Sequence, residues 1–213
     1  MTMTTANEPG APAAYPINVD VIRPEKQSRL TNFPLFIGSM IRYFLLIPHL
    51  IILYFFGLVA AFLYFIATFA ILFTGRFPAG LYNFVAGYQR WTVNVSAYTF
   101  HLIDRYPPFS MDQQPDYPVS FEAIQPDTSS RLLNFPILGI TIRFFILIPH
   151  YVILFFLIIL EVIVVFIAQF AILFTGSFPS GMHSFVTGYL RWSTRLSAYT
   201  LGLSDKYPPF SLK

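Results

Sequence analysis

The sequence predicts an all-α integral membrane protein built by tandem duplication of a helical-hairpin unit, with about four transmembrane helices, short interfacial helices and short extramembrane β-strands. Of its 213 residues, 55% are apolar and only 11% are charged, against roughly 25% charged in a typical soluble domain. Residues 50–73 carry no charge, and residues 151–174 carry only Glu161. At ~1.5 Å per residue, either run is long enough to cross a ~30 Å hydrocarbon layer.

The third observation that predicts this fold class is an internal duplication of the sequence. Residues 41–110 and 142–211 align at a constant shift of 101 with 40 identities in 70 positions. This period is far longer than that of solenoid repeats, so each copy is expected to be a whole supersecondary unit that faces the other copy. The predicted divisions are a flexible arm at 1–14, a first membrane repeat at 15–110, a linker at 111–116 and a second membrane repeat at 117–213.

Each repeat begins with a strand and a first apolar segment. Residues 15–21 and 117–122 alternate apolar and polar side chains, which is the pattern of a half-buried strand. The apolar segment 35–47 then ends at Pro48-His49, where a bend into the long helix is expected because proline removes a backbone donor. Arg42 within this short segment favours an interfacial helix whose guanidinium reaches water.

A glycine-rich turn at residues 74–80 leads into a second helix, predicted at 81–104, which a Tyr-Pro-Pro-Phe-Ser segment terminates. Small and polar residues recur along it at steps of three and four, and this stripe should face protein if the helix spans the membrane. The stripe consists of Asn83, Gly87, Arg90, Asn94, Ala97 and His101. Alternatively, the second helices lie flat in the headgroup region and only two helices span.

Four spans would place both termini and the linker on one side of a cell membrane. Most basic residues of the connecting segments lie on that side, whereas the hairpin turns contribute only Arg76. The positive-inside rule therefore predicts cytoplasmic termini.

Glu161 lies in the middle of the second apolar helix, where the first repeat has Ala60. Counted from the turn residue Phe178, Glu161 precedes and Arg195 follows by the same number of residues. A symmetric hairpin would bring the two together, so the sequence predicts a buried ion pair between Glu161 and Arg195. A structural role for this pair is favoured over ion or headgroup handling.

Arginines and tryptophans shared by both repeats are the other candidate site residues. The predicted lipid or partner contacts are Arg42, Arg90, Trp91, Arg143, Arg191 and Trp192. The alternative is that these side chains only pack within the protein, the arginines bonding to backbone or to a tyrosine such as Tyr98. Asp104 and Asp205 are either solvated helix ends or partners of Arg42 and Arg143.

Composition and motifs exclude several functions. The chain has no cysteine, so disulfides and thiolate chemistry are excluded, and its net charge of +3 is too small and dispersed for a nucleic-acid surface. Phosphate loops, nucleophile elbows and metalloprotease patterns do not occur, so neither an enzyme nor a cofactor or metal site is predicted.

Several short motifs recur in order, among them Ile-Pro-His, Leu-Phe-Thr-Gly, Gly-Tyr-x-Arg-Trp and Tyr-Pro-Pro-Phe-Ser. Together they resemble the bacterial membrane family catalogued as domain of unknown function 4389, over both units. The resemblance implies a bacterial integral membrane protein with no catalytic residues to carry over. The expected function is a non-enzymatic structural or accessory subunit that contacts lipids and partner subunits or a second copy. The alternative is a small transporter or channel at the interface of the repeats.

Overall fold

A computed structural model describes residues 15–213, so the predicted arm at 1–14 lies outside the described residues. Within the described range the elements are β1 (Ile17–Val21), α1 (Ile37–Thr74), α2 (Ala79–Thr99), β2 (Val119–Ala123), α3 (Leu138–Ile146), α4 (Ile148–Thr175) and α5 (Ser180–Thr200). The chain is thus mostly helical and repeats the same order of elements twice. Both predicted strands are present.

The long apolar helix of each repeat differs at the proline. In the first repeat α1 continues through Pro48, whereas in the second the helix breaks at Leu147, between α3 and α4. The predicted bend is therefore confirmed only in the second repeat. Both long helices end at a left-handed glycine, Gly75 or Gly176, whose N–H bonds back to the last helical turn, as the predicted glycine turn requires.

The two helices of each hairpin run antiparallel, and the first helix extends further toward the turn than the second. In the second repeat Trp192 Nε1 donates to His150 Nδ1 at 2.9 Å, and Arg143 Nη1 donates to the carbonyl oxygen of Tyr199 at 2.6 Å. Residue 150 is therefore level with residue 192, and residue 143 with residue 199. From the level of residue 150 toward the turn, α4 continues for 25 residues to Thr175, whereas α5 has only 12 residues back to Ser180, so the C-terminal end of α4 extends well beyond the first turn of α5.

The two repeats interlock through their strands. β1 and β2 form an antiparallel pair in which Val19 lies opposite Phe121. β1, from the first repeat, packs on α5 of the second, and β2 packs on α2 of the first. Each strand thus completes the core of the other repeat, so one repeat alone lacks part of its own core.

Reciprocal backbone bonds also join the ends of the long helices. The N–H of Gln27 donates to the carbonyl oxygen of Gly176, and the N–H of Ser129 donates to that of Gly75, both at 2.8 Å. The segment before each long helix therefore lies beside the end of the other. Near the end of α4, Gln169 Nε2 also donates to Ser39 Oγ at the start of α1 at 3.2 Å, so α1 and α4 run antiparallel. These contacts relate the repeats by an approximate two-fold axis that passes between β1 and β2.

The fold forms three layers along this axis. The sheet packs against α2 and α5, which contact each other, while α1 packs on α2, and α3 and α4 pack on α5. The buried side chains of β1 point toward the helices, and Asn18, Asp20 and Glu122 are exposed on the outer face of the sheet. One face of the molecule is therefore polar, and the long apolar helices lie at the opposite face.

Two sequence predictions about the membrane are not supported, and the alternative with two spanning helices fits the structure better. α1 and α4 are the described helices that are long and apolar enough to cross a membrane, whereas α2 and α5 do not meet that condition, so four spans are not supported. The prediction of cytoplasmic termini assumed that the hairpin turns lie far from the segments before the long helices. Gly75 and Gly176 instead bond to those segments. The basic residues of the turns and of the segments therefore cannot be assigned to opposite sides of a membrane, and the positive-inside rule cannot be applied to them.

Candidate functional site

The largest chemically distinct surface is an apolar face formed by α1, α3 and α4. Large apolar side chains are exposed along the whole of α1, from Ile37 at 45% to Phe73 at 78%, and α4 repeats this as far as Phe174 at 77%. In contrast, α2 and α5, both fully described, expose no large apolar side chain. Hydrophobic exposure is therefore confined mainly to one face and the segments that lead into it.

Arg42 and Arg143 do not belong to that face. They are 1% and 0% exposed, and the predicted contact of both with lipid or partners is wrong. Every N–H of Arg143 donates to the protein: to the carbonyl oxygens of Leu133, Tyr199 and Ser204, to Asn134 Oδ1 and to the Asp205 carboxylate. Arg42 makes the equivalent five bonds in the first repeat.

We call each set an arginine node, defined by Arg42 with Asp104 and by Arg143 with Asp205. Ion pairs join the two residues of each node. The alternative that Asp104 and Asp205 are partners of these arginines is thereby confirmed. Because Arg42 ties the N-terminal part of α1 to the end of α2, and Arg143 ties α3 to the end of α5, the nodes fix the hairpin geometry.

Trp91 and Trp192 are 4% and 5% exposed, so these residues too lie inside the protein rather than at a lipid surface. Trp91 donates to Nδ1 of His49, whose ring stacks on Phe109 with centroids 3.7 Å apart. The second repeat forms the same cluster at the same distances to within 0.1 Å. The Ile-Pro-His, Arg-Trp and Tyr-Pro-Pro-Phe motifs thus recur because together they build one buried cluster.

Arg90 and Arg191 also bond to the protein backbone, which confirms the packing alternative. Arg90 donates to the carbonyl oxygen of Met111 at 2.6 Å, and Arg191 donates to those of Val19 and Leu212 at 2.7 and 2.9 Å. Arg90 and Arg191 therefore face the segments that follow their helices, and Arg191 also faces β1.

The predicted ion pair between Glu161 and Arg195 is wrong. Arg195 donates to the carbonyl oxygens of Ile17 and Lys213, at 3.3 and 2.6 Å. Ion pairs within residues 15–213 join the two nodes and, at a longer distance, Arg191 to Asp20, and none of them includes Glu161 or Arg195. The count from the turn failed because α4 extends beyond the start of α5, which places Glu161 level with the first turns of α5.

Glu161 instead lines a cavity of about 260 Å³ between the N-terminal end of α1, the end of α2 and the middle of α4. The carboxylate belongs to a residue that is 3% exposed and has no hydrogen-bond partner among the described residues. Three further polar side chains, Ser39, His101 and Gln169, line the same cavity. Ser39 Oγ and Gln169 Nε2 lie 3.0 and 3.3 Å from His101 Nε2.

The tautomer of His101 follows from its neighbours. Its Nδ1 lies 2.8 Å from Asn32 Oδ1, an oxygen that also accepts from Arg42, so Nδ1 carries the proton and Nε2 is an acceptor. Burial, followed by the charge of Arg42, holds the pKa of His101 well below its ordinary value. The ring is therefore neutral, and the lone pair of its Nε2 points to the neighbouring Ser39 Oγ and Gln169 Nε2.

The sequence prediction missed this cluster, since it gave no site role to His101 and none to Ser39 or Gln169. A signal was nevertheless present in the comparison of the repeats. None of these four residues is conserved between the copies: Ser39 aligns with Ile140, His101 with Gly202, Glu161 with Ala60 and Gln169 with Thr68. Residues that differ between otherwise similar copies mark this cavity.

No group of three or more His, Cys, Asp or Glu within residues 15–213 is arranged to hold a metal ion. Comparison with protein families matched the chain to the family described as "Domain of unknown function (DUF4389)", over residues 38–111 and 138–211. The two matched regions coincide with the two copies and together cover more than half of the chain. Comparisons with curated proteins and with solved structures gave no match.

Proposed function

We propose that this chain, which belongs to the DUF4389 family in two tandem copies, is a membrane-bound structural protein whose apolar face lies in lipid. The observation that carries this proposal is the one-sided exposure of large apolar side chains on α1, α3 and α4. A contiguous apolar face of this extent is rare on soluble monomers and marks a membrane or protein contact. Lipid covers such a face along its whole length.

The dimensions favour a molecule that lies in the plane of the membrane. The exposed apolar strip of α1 runs from Ile37 to Phe73, which is about 54 Å of helix at ~1.5 Å per residue, well beyond a ~30 Å hydrocarbon layer. If α1 and α4 crossed the membrane, the sheet on the two-fold axis would lie at mid-depth. Asp20 and Glu122 are exposed there, and a charge at that depth costs about 2.5 kcal/mol or more.

Immersion of the apolar face in one leaflet avoids this cost, because the sheet then stays in water. In this orientation the protein is a non-enzymatic scaffold that holds lipid on one face and offers the polar sheet to partner subunits or to a second copy. A transporter or channel would need the stripes of α2 and α5 to line a water-filled path. The bonds of Arg90 and Arg191 to backbone carbonyl oxygens support the scaffold instead.

The absence of cysteine in the sequence allows a direct test of orientation. Single cysteines are introduced at Ala79 and Ser180, matched exposed positions at the start of α2 and α5, and at Asn18 on the sheet. Each variant is labelled with a membrane-impermeant maleimide in spheroplasts and in lysed membranes.

The in-plane orientation predicts that all three cysteines behave alike, either all labelled or all protected before lysis. Antiparallel spanning helices would place positions 79 and 180 on opposite sides, so that only one of them is labelled in intact cells. That result would contradict the in-plane orientation. Loss of the chain from washed membranes would contradict the membrane-bound function altogether.

A further inference from the structure

We propose that the cavity between α1 and α4 binds a membrane-soluble amine, with its ammonium group at Glu161 and its apolar body along the cavity wall. The inference rests on the proposed placement of the apolar face in lipid. The cavity opens on that face, since its lining includes the exposed residues Phe36, Tyr43, Ile158 and Val162. A lipid-soluble molecule can therefore enter it from the membrane.

The polar groups of the cavity select the chemistry of the ligand. Glu161 contributes a buried carboxylate with no cationic partner among residues 15–213, whereas Nε2 of His101 is already bonded to Ser39 and Gln169. The carboxylate is an acceptor, so the ligand must donate hydrogen bonds to it, and a positive charge would compensate it. Arg195, the cation that the sequence suggested for Glu161, is held by Ile17 and Lys213 on the other side of α5.

The equivalent location in the other repeat, beside Gly202, is filled by a side chain of the protein itself. There Tyr64, the counterpart of Val165, enters the space beside Gly202, where an added Cβ would lie 2.3 Å from the tyrosine ring. Its hydroxyl donates to Asn134 Oδ1. In the first location the smaller Val165 leaves the space open, and His101 adopts the same left-handed conformation as Gly202, with φ 61° against 72°. Histidine at such a position is uncommon and costs free energy that glycine does not.

The size of the cavity limits how much of the ligand it holds. At about 260 Å³ it lies just below the range of pockets that enclose a drug-sized molecule. It therefore accommodates an ammonium group and the first part of an aliphatic chain, while the remainder extends over the apolar face. Aminolipids and free lipophilic amines share this chemistry, and an experiment can separate the two sources.

The test uses the full chain in phosphatidylcholine nanodiscs, with dodecylamine as the probe and dodecanol and dodecanoic acid as controls of equal chain length. Dodecylamine at about one hundred times its dissociation constant should raise the Tm by about 5 to 10 °C, and the controls should not. The E161Q variant should bind the amine about tenfold or more weakly. The H101G/V165Y variant copies the filled arrangement of the other repeat and should abolish the stabilisation.

A separate arm replaces part of the phosphatidylcholine with phosphatidylethanolamine and omits dodecylamine. Stabilisation that depends on Glu161 in this arm assigns the site to an aminolipid, and stabilisation by dodecylamine alone assigns it to a free amine. Equal binding of amine and alcohol, or undiminished amine binding by E161Q and H101G/V165Y, would overturn the proposal. Flotation of the same samples with liposomes reports membrane binding independently, so failure of the site and failure of the proposed function are distinguishable.

Discussion

Replacement of Arg143 by methionine should destabilise the protein more than any substitution on its surface. Methionine fills similar space but donates no hydrogen bond, so it leaves behind the five acceptors that the guanidinium now satisfies. Among these acceptors is the carboxylate of Asp205, whose side chain is 19% exposed. The substitution therefore removes one partner of a largely buried ion pair and at the same time releases three backbone carbonyl oxygens.

The contacts give the magnitude. Breaking a buried ion pair from one side costs about 3 to 5 kcal/mol, and each buried acceptor left without a donor adds about 1 kcal/mol or more unless water reaches it. The total is comparable to the whole stability of an ordinary domain, about 5 to 15 kcal/mol. Since Asp205 also accepts from the Ser130 N–H and from Asn134, D205N should cost less.

The assay is reversible unfolding by sodium dodecyl sulfate in mixed micelles, followed by the fluorescence of the two tryptophans. R42M is the matched variant, because Arg42 makes the equivalent five bonds, and it should lose as much stability as R143M. R76M alters an exposed arginine and should change stability by less than about 0.5 kcal/mol. The R143M/D205N double variant should recover part of the loss. A loss below about 1 kcal/mol for R143M, the range of exposed pairs, would refute the reasoning.

Three further predictions concern the buried polar groups. E161A should leave the free energy of unfolding without ligand unchanged or raise it, because no described residue bonds to Glu161. A loss of several kcal/mol would instead support the ion pair with Arg195 that the sequence predicted. W192F should cost about 1 to 3 kcal/mol in the same unfolding assay, because it leaves Nδ1 of His150 buried without a donor. Since burial lowers the pKa of His101, the unfolded chain takes up a proton near pH 6.5 that the folded chain does not, so stability should fall as the pH drops below that value, by at most about 1.4 kcal/mol per pH unit. H101N, with a residue that tolerates the left-handed conformation, should show a flatter pH profile, and identical profiles would exclude His101 as the source.

The sequence predicted those features that depend on local pattern. The alternation in residues 15–21 predicted β1, and the glycines at 75 and 176 predicted the ends of the long helices. Asp104 was expected to be either a solvated helix end or a partner of Arg42, and both residues have counterparts in the second repeat. Each of these features rests on residues close in sequence or on a match between the copies.

Features that depend on how the helices meet were not predictable in the same way. The proposed pair of Glu161 with Arg195 assumed a hairpin symmetric about Phe178, but nothing along the chain encodes how far α4 extends past α5. Likewise, hydropathy measures how apolar a helix is and not which elements pack on its other side. The exchange of β1 onto α5 therefore had no signature in the periodicity of either segment.

The exchange of strands bears on how such a chain can change over time. Because β1 completes the second repeat and β2 the first, a chain with a single repeat would have to pair with an identical chain to bury the same surfaces. In that homodimer any substitution would occur twice, at symmetric positions. Fusion of the two halves into one chain removes this coupling, so one half can acquire His101 and Glu161 while the other keeps Gly202 and Ala60. The duplicated chain thus has the arrangement that such a homodimer would have, while its two halves can differ in sequence.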